Sequence, residues 1–323
     1  MSVVVFGSAN ADLTVSSRRF PEPGETLTGT SFTTGLGGKG LNQAVAAARL
    51  GAPTAFVGRV GSDDFGHQLR SGLAHDQVDV SDLSADAARP SGVAIIFLGA
   101  EGQNSIVVVP GANGAVGRVE LERLDRRLQS ATVLLLQLEL PMAAVLAAIE
   151  MAGHREVTVL LDPAPAVNLP STAYASHVIL TPNEVEAAML VGFDLVDDDA
   201  VLRAARTLLG RGAGGVVIKL GARGLVWATA GRWGREPALP VVVRDTVGAG
   251  DAVNGALAAA LGRGAPLTEA VREAAAAGGL AVTRPGGYAA MPTREELLSV
   301  LVGTGAGPVR VDPVEVDPAV TAR

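Results

Sequence analysis

The sequence has no cysteine, which excludes a disulfide framework and thiolate chemistry. It has 4 histidines and no HExxH pair, so a zinc site has little support. Charged residues are scarce at 18%, and the net charge is −7, which argues against a broad nucleic-acid or acidic-membrane surface. Long hydrophobic runs are missing too. The best candidate, residues 133–149, is broken by Gln137, Glu139 and Pro141 and is too polar to span a bilayer. The amino terminus lacks a basic segment, and its apolar run Val3–Phe6 is too short for a secretory signal. These absences predict a soluble, cytoplasmic protein with neither nucleic-acid nor membrane partners.

What is present is apolar and small. Hydrophobic residues reach 48% of 323, enough to bury a sizeable core in one large α/β domain with an appendage, or in two modest domains. Glycine, at 40 residues, and Ala-rich helical stretches predict close helix–sheet packing. Val3–Phe6 is a continuous apolar run, as expected of a buried parallel strand. Similar runs recur at 55–60, 133–138, 157–161, 178–180 and 216–220, the last followed by a turn and a further strand at 225–228. Helical patterns lie between them, such as residues 65–74, with Phe65, Leu69 and Leu73 at fourfold spacing. Strand alternating with helix predicts an α/β fold with a mostly parallel central sheet and helices on both faces. Three segments stand apart: the Thr-rich 26–34, and 92–98 and 105–109 around Ala100-Glu101-Gly102-Gln103, a hairpin signal. They predict a small β lid, built from about 12–34 and 91–109, able to cover a substrate or pair with another copy. A final helix is expected at 295–302. Residues 303–323, without periodicity, are expected to be a disordered tail beyond a domain of 1–302.

Polar residues recur just after the strands: Asn10 and Asp12, Glu139, Asp162, Asn183, Asp251. One such residue is an ordinary turn former, and Asn10 and Asp12 alone read as a turn. Six on the carboxyl rim of one parallel sheet mark a site, because open α/β sheets bind ligands there. Thr181 and Pro182 fit the N-cap and first position of a helix, and Asn183 and Glu186, three apart, share its face. That face suits a metal-bound phosphate, although acidic residues also favour a helix N-terminus on their own account.

Two glycine-rich stretches carry the chemistry. Gly35, Gly37 and Gly40 satisfy GxGxxG but do not follow the first strand of the chain, and a lone GxGxxG is a weak signal. A Walker A loop fails, since Thr33 stands where its first Gly belongs and Gly40 follows Lys39. What remains is a Gly-rich approach to a polar ligand, with Lys39 and Asn42 pointing at it, or close helix packing. The second stretch runs from Asp245 to Ala256. An apolar strand candidate at 239–243 precedes it and an Ala-rich helix at 252–261 follows. Gly248, Ala249 and Gly250 would let backbone N–H groups approach an anion at the positive end of that helix. Asp251 beside them is either a helix cap or a base that takes a proton from an attacking hydroxyl.

Taken together, these motifs resemble the ribokinase, or phosphofructokinase-B, family of carbohydrate kinases over residues 2–302. The resemblance rests on residues 7–12 (GSANAD), 37–44 (GGKGLNQA), Gln137-Leu138-Glu139, Thr181-Pro182-Asn183-Glu184 with Glu186, and Asp245-Thr246 through Gly250-Asp251. It implies ATP-dependent phosphorylation of a sugar hydroxyl, D-ribose at its 5-hydroxyl, with Mg2+ and a monovalent cation such as K+. It implies Asp251 as base, with the backbone amides of Gly248, Ala249 and Gly250 as an anion hole. It assigns the sugar to Asn10, Asp12, Gly38, Lys39, Asn42, Glu139 and Asp251. The nucleotide falls to Asn183, to the loop Lys219, Leu220, Gly221, Ala222, Arg223 and Gly224, to Gly250 and Asp251, and to Ala275. Glu186 falls in the Mg2+ region, and Asp245, Val247, Ala281, Arg284, Gly286 and Ala290 surround the monovalent ion. It further implies a homodimer through the lid. Three positions depart from the family pattern: Ala275 is often polar, Lys219 commonly a hydroxyl residue, and Asp162 more often Asn. Other readings stay open at this point. One is a kinase of the same family for deoxyribose, a ketohexose or a nucleoside such as adenosine. A nicotinamide-dependent oxidoreductase on Gly35, Gly37 and Gly40 leaves Asp251 unexplained. A non-catalytic sugar-binding protein has no need of Asp251.

Overall fold

A computed structural model describes residues 2–99, 103–303 and 310–313. In chain order the elements are β1 (Val3–Phe6), β2 (Asn10–Ser16), β3 (Ser31–Gly37), α1 (Lys39–Arg49), β4 (Thr54–Gly61), α2 (Asp64–His75), β5 (Leu83–Asp86), β6 (Gly92–Leu98), β7 (Asn104–Val109), α3 (Arg118–Leu128), β8 (Val133–Leu136), α4 (Met142–Gly153), β9 (Thr158–Leu161), β10 (Val178–Leu180), α5 (Glu184–Val191), α6 (Asp198–Gly210), β11 (Gly215–Lys219), β12 (Leu225–Thr229), β13 (Arg232–Glu236), α7 (Ala249–Gly262), α8 (Leu267–Ala281), α9 (Arg294–Gly303) and β14 (Arg310–Pro313). Ten strands form one sheet in the order β14-β13-β12-β11-β10-β9-β8-β1-β4-β5. Every pairing from β11 to β5 is parallel, and β12, β13 and β14 extend the sheet antiparallel.

Period-2 alternation divides the apolar side chains between two cores. Val3, Val5, Val133 and Leu135 pack on one face, against Leu41 of α1, Leu69 of α2, Leu257 of α7, Val271 of α8 and Leu297 of α9. Val4, Phe6, Leu134 and Leu136 pack on the other, against Leu124 of α3, Val145 of α4, Leu190 of α5 and Leu208 of α6. Small residues let the first layer close tightly: a Cβ on Gly255 of α7 would stand 2.9 Å from the backbone N of Ala47 in α1. Among the described residues no helix is long and apolar enough to cross a membrane.

Four strands form a separate small sheet in the order β3-β2-β6-β7. This is the expected lid with different limits. β2, read as a turn, is a strand whose polar Asn10, Asp12, Thr14 and Ser16 alternate with Ala11, Leu13 and Val15. It pairs antiparallel with β3 and parallel with β6. The Thr-rich strand expected at 26–34 lies at Ser31–Gly37, where the register with β2 places it. The hairpin turn expected at 100–103 lies largely outside the described residues.

Four further differences have physical reasons. The helix expected from Ala44 begins at Lys39, because Gly38 turns the chain at φ +91°. Residues 239–243 form no strand. Pro240 lacks an N–H, and the apolar Leu239, Val241 and Val243 line a cleft instead of a sheet. β13, with its polar Arg232, Arg235 and Glu236, was invisible as a strand because it carries no apolar run. Within the tail, Arg310–Pro313 pairs antiparallel with the open edge of β13, and Gly303 ends α9; residues 304–309 and 314–323 lie outside the described residues.

Candidate active site

Gly248 begins α7 in the left-handed region at φ +76°, and a Cβ there would stand 2.8 Å from Gly287 Cα. A side chain is excluded on both counts. The helix that follows spans 14 residues and lacks a side-chain cap; Ala249 N donates to Thr246 O at 3.3 Å, and the next amides, of Gly250 and Asp251, are uncapped. Asp251, in the first turn, is 6% exposed. It does not cap the helix. Asn42 Nδ2 donates to its Oδ2 at 3.0 Å, and Gln43 Nε2 donates to its Oδ1 at 3.0 Å, both from α1. Burial pushes the Asp251 carboxyl up to about 6, against the pull of Lys39, with Asp162 adding to the rise.

Gln43 is the hub of a buried network. Its Nε2 also donates to Asp162 Oδ2 at 2.9 Å, and its Oε1 accepts from Gln137 Nε2 at 2.7 Å. Asp162 follows β9, and its other oxygen accepts from Lys219 Nζ, at the end of β11, at 2.8 Å. Buried charges in a low-dielectric interior need such partners, and here each carboxylate has one or two.

The residues assigned to the sugar converge from both sheets. A Cβ on Gly38 would stand 2.8 Å from Asn10 N, and one on Gly40 2.5 Å from Ser8 N, so the 37–40 stretch lies directly on the 7–10 stretch. A Cβ on Gly37 would overlap the Asp12 carboxylate. Burial, then Glu139 and then Asp251, pushes Asp12 up to about 7. Glu139 Oε2 accepts from Lys39 N at 3.1 Å and from Ser8 Oγ. Burial pulls the Lys39 ammonium down, but Asp251, Asp162, Glu139 and Glu186 together hold it above its usual value. Asn10 Oδ1 accepts from Asn113 Nδ2 at 2.8 Å, and Asn42 Oδ1 has no partner within the protein.

Alongside lies a cleft of about 640 Å³, lined at one end by Lys39, Asp162, Asn183, Glu186, Lys219 and Gly248–Asp251. Much of the rest of its lining is apolar: Leu225, Leu239, Pro240, Val241, Val243, Ala275, Gly278 and Val282. Of the 219–224 loop, Gly221, Ala222 and Gly224 line the cleft. Leu220 packs in the core, and Arg223 pairs with Glu184 and with Asp198 at 3.1 Å on the surface. The N-cap expected at Thr181 lies at Asn183. Thr181 and Pro182 follow β10 in a link with backbone bonds to its neighbours: Thr181 N donates to Leu161 O and Lys219 N to Pro182 O. Asn183 Oδ1 accepts from Glu186 N, and Glu186 Oε2 from Asn183 N, both at 2.8 Å, which aims this pair at the cleft. Burial raises Glu186, against the pull of Lys219.

Just before α7, Asp245 joins two loops: Oδ1 accepts from Val247 N at 3.0 Å and Oδ2 from Gly286 N at 2.8 Å. Ala281 ends α8 and Ala290 is buried nearby in sequence, while the Arg284 side chain pairs with Glu296 at 3.0 Å. Among the described residues no group of three or more His, Cys, Asp or Glu side chains is placed to hold a metal ion.

Sequence reasoning assigned no role to Ser8, Gln43, Asn113 or Gln137, all buried polar residues of the site. Gln43 and Gln137 stood inside quoted motifs, so their signal was present. Asn113, in a short turn far along the chain, had none.

The family model described as "pfkB family carbohydrate kinase" matches residues 1–294. A ribokinase of Haemophilus influenzae is 36% identical over 300 residues, covering 93% of this chain and 98% of that protein. A deoxyribokinase of Salmonella typhi is 33% identical over 297 residues, covering 92% and 97%. A solved structure of Arabidopsis thaliana ribokinase complexed with ribose and ATP matches at a TM-score of 0.87 and 33% identity, covering 93% of this chain and 98% of that one.

Proposed function

The chain belongs to the pfkB family of carbohydrate kinases, and we infer that it phosphorylates D-ribose with ATP. The observation that carries the chemistry is Asp251, buried and oriented by Asn42 and Gln43 in the uncapped first turn of α7. In this reading Asp251 takes the proton of the sugar 5-hydroxyl. That oxygen attacks the terminal phosphorus of ATP, the bond to the bridging oxygen breaks, and ADP leaves with the electron pair. The amides of Gly248, Ala249 and Gly250 stabilise the charge on the moving group. A carboxyl poised near 6 is ionised at neutral pH and still basic enough to work.

Asn10, Asp12, Gly38, Lys39, Asn42 and Glu139 would hold the sugar, Asn42 Oδ1 offering a free acceptor to a hydroxyl. Asn183, Lys219, Gly221, Ala222 and Gly224 would hold the nucleotide, Leu220 and Arg223 through their backbone, with the base between the apolar walls and Ala275. Mg2+ fits this site as an ion held chiefly by phosphate and water, with Glu186 and Asn183 at the cleft as the residues that would orient it, since no group of three acidic side chains is placed to hold a metal among the described residues. It would neutralise phosphate charge. K+ fits the loops joined by Asp245, with backbone oxygens of Val247, Ala281, Arg284, Gly286 and Ala290 as its other ligands; it would add positive charge behind the anion hole.

The same proposal makes 1–302 one kinase domain, located in the cytoplasm, and a homodimer formed through the lid, whose β7 exposes Ile106, Val107, Val108 and Val109. The deoxyribokinase relative supports a second reading, 2-deoxyribose as the preferred sugar. Phosphorylation of D-ribose, 2-deoxyribose, fructose and adenosine with ATP, in potassium and then in sodium, separates these. The expected result is a strong preference for D-ribose that drops in sodium; equal or better turnover of 2-deoxyribose overturns the sugar assignment.

A further inference from the structure

Lys219 sits at the phosphate end of the cleft with its side chain 12% exposed, paired to Asp162 at 2%. Its Nζ also lies 3.5 Å from the point a Cβ would occupy on Gly250, so the ammonium stands beside the first turn of α7. An ammonium has three N–H donors, and the bond to Asp162 uses one. Asp162 is the other half of the puzzle. A buried carboxylate lining a polyphosphate site repels the ligand unless a cation neutralises it. Its second oxygen is tied through Gln43 to Asp251, so contacts of 2.8, 2.9 and 3.0 Å run unbroken from Lys219 to the base.

We propose that the Lys219 ammonium grips the phosphoryl group under transfer, and that Asp162 is a positioning residue holding Lys219 at one end and, through Gln43, Asp251 at the other. The proposal rests on the kinase reading above. It gives the anion hole a side-chain cation besides its backbone amides, and it links the grip on the phosphate to the orientation of the base.

The test measures binding of ATP and of adenosine by calorimetry, steady-state kinetics and thermal unfolding for K219M, K219R, D162N and the double variant D162N/K219M. A charge-assisted hydrogen bond predicts that K219M loses about 10- to 100-fold in ATP affinity while adenosine affinity stays within about twofold. K219R, which keeps the charge, should stay within about fivefold of wild type for ATP. Because K219M leaves the Asp162 carboxylate buried without the ammonium bonded to it, it should also melt earlier. The double variant removes both charges and should recover the melting temperature but not the ATP affinity or kcat. D162N should bind ATP at least as tightly as wild type, with kcat reduced and KM for ATP unchanged or lower. Recovery of ATP affinity and kcat in the double variant, or wild-type ATP affinity in K219M, makes the pair structural and overturns the proposal. A wild-type protein that binds no ATP would overturn the kinase reading itself, before Lys219 is at issue.

Discussion

In the ten-stranded sheet, β1 and β8 are buried at every residue; in the four-stranded sheet, β7 is exposed at every residue, although four of its six are Ile or Val. The pairing rules are the same, and the side chains are of the same kind. What differs is what covers them. The large sheet has helices on both faces, so its apolar runs make core. Among the described residues no helix covers β7, and Phe32, Ile106 and Val107 are left 61%, 51% and 53% exposed. Exposed apolar surface on a sheet is an invitation to a partner. The proposed catalytic apparatus divides along the same line. Lys219, Asp162, Gln137 and Glu139 stand on the rim of the large sheet, whereas the lid supplies Asn10 and Asp12.

That contrast breaks hardest at Asp251. D251N should lower kcat about 10³-fold while leaving ribose and ATP affinities within a few-fold, measured by kinetics and calorimetry; loss of both affinities would make Asp251 a structural residue. On the lid side, D12A should raise KM for the sugar about 10- to 100-fold with a smaller effect on kcat. pH sharpens the difference between the two carboxyls. Both are raised by burial, Asp12 to about 7 and Asp251 to about 6, and both must be ionised, so kcat/KM for the sugar should fall in two steps as pH drops. D12N should remove the upper step and leave the one near 6; a profile flat down to pH about 5 would contradict both assignments. At the seam between the sheets, G40A forces a Cβ to within 2.5 Å of Ser8 N, which should cost about 1–3 kcal/mol in urea unfolding. The smallest effect is expected at the lid surface. V108D should dissociate the proposed dimer in analytical ultracentrifugation and change monomer stability by no more than about 0.5 kcal/mol.

The sequence made the large sheet readable because burial on both faces leaves unbroken apolar runs such as Val3–Phe6. It also exposed the rim, since polar residues directly after such runs have few other reasons to recur. Where the same signal misled, another surface had taken the apolar residues: 239–243 reads as a strand but serves as a cleft wall beside Pro240. β2 was hidden by Asn10 and Asp12, whose turn propensity outweighed the period-2 pattern around them. The network through Gln43 could not be read at all, because it joins residues 43, 137, 162, 219 and 251, and only the fold says that these meet.

The amide of Gln43 has one further consequence. Gln137 fixes its orientation by donating to Oε1, so both N–H groups face carboxylates and neither can turn away to receive a proton. Asn42 likewise presents Asp251 with N–H. On its inner side Asp251 therefore meets two amide donors, and neither Asn42 nor Gln43 offers the carboxyl an acceptor for a hydrogen ion. If Asp251 takes the sugar's proton as proposed, these two amides cannot pass it on, and the carboxyl must be reset by some group other than Asn42 and Gln43.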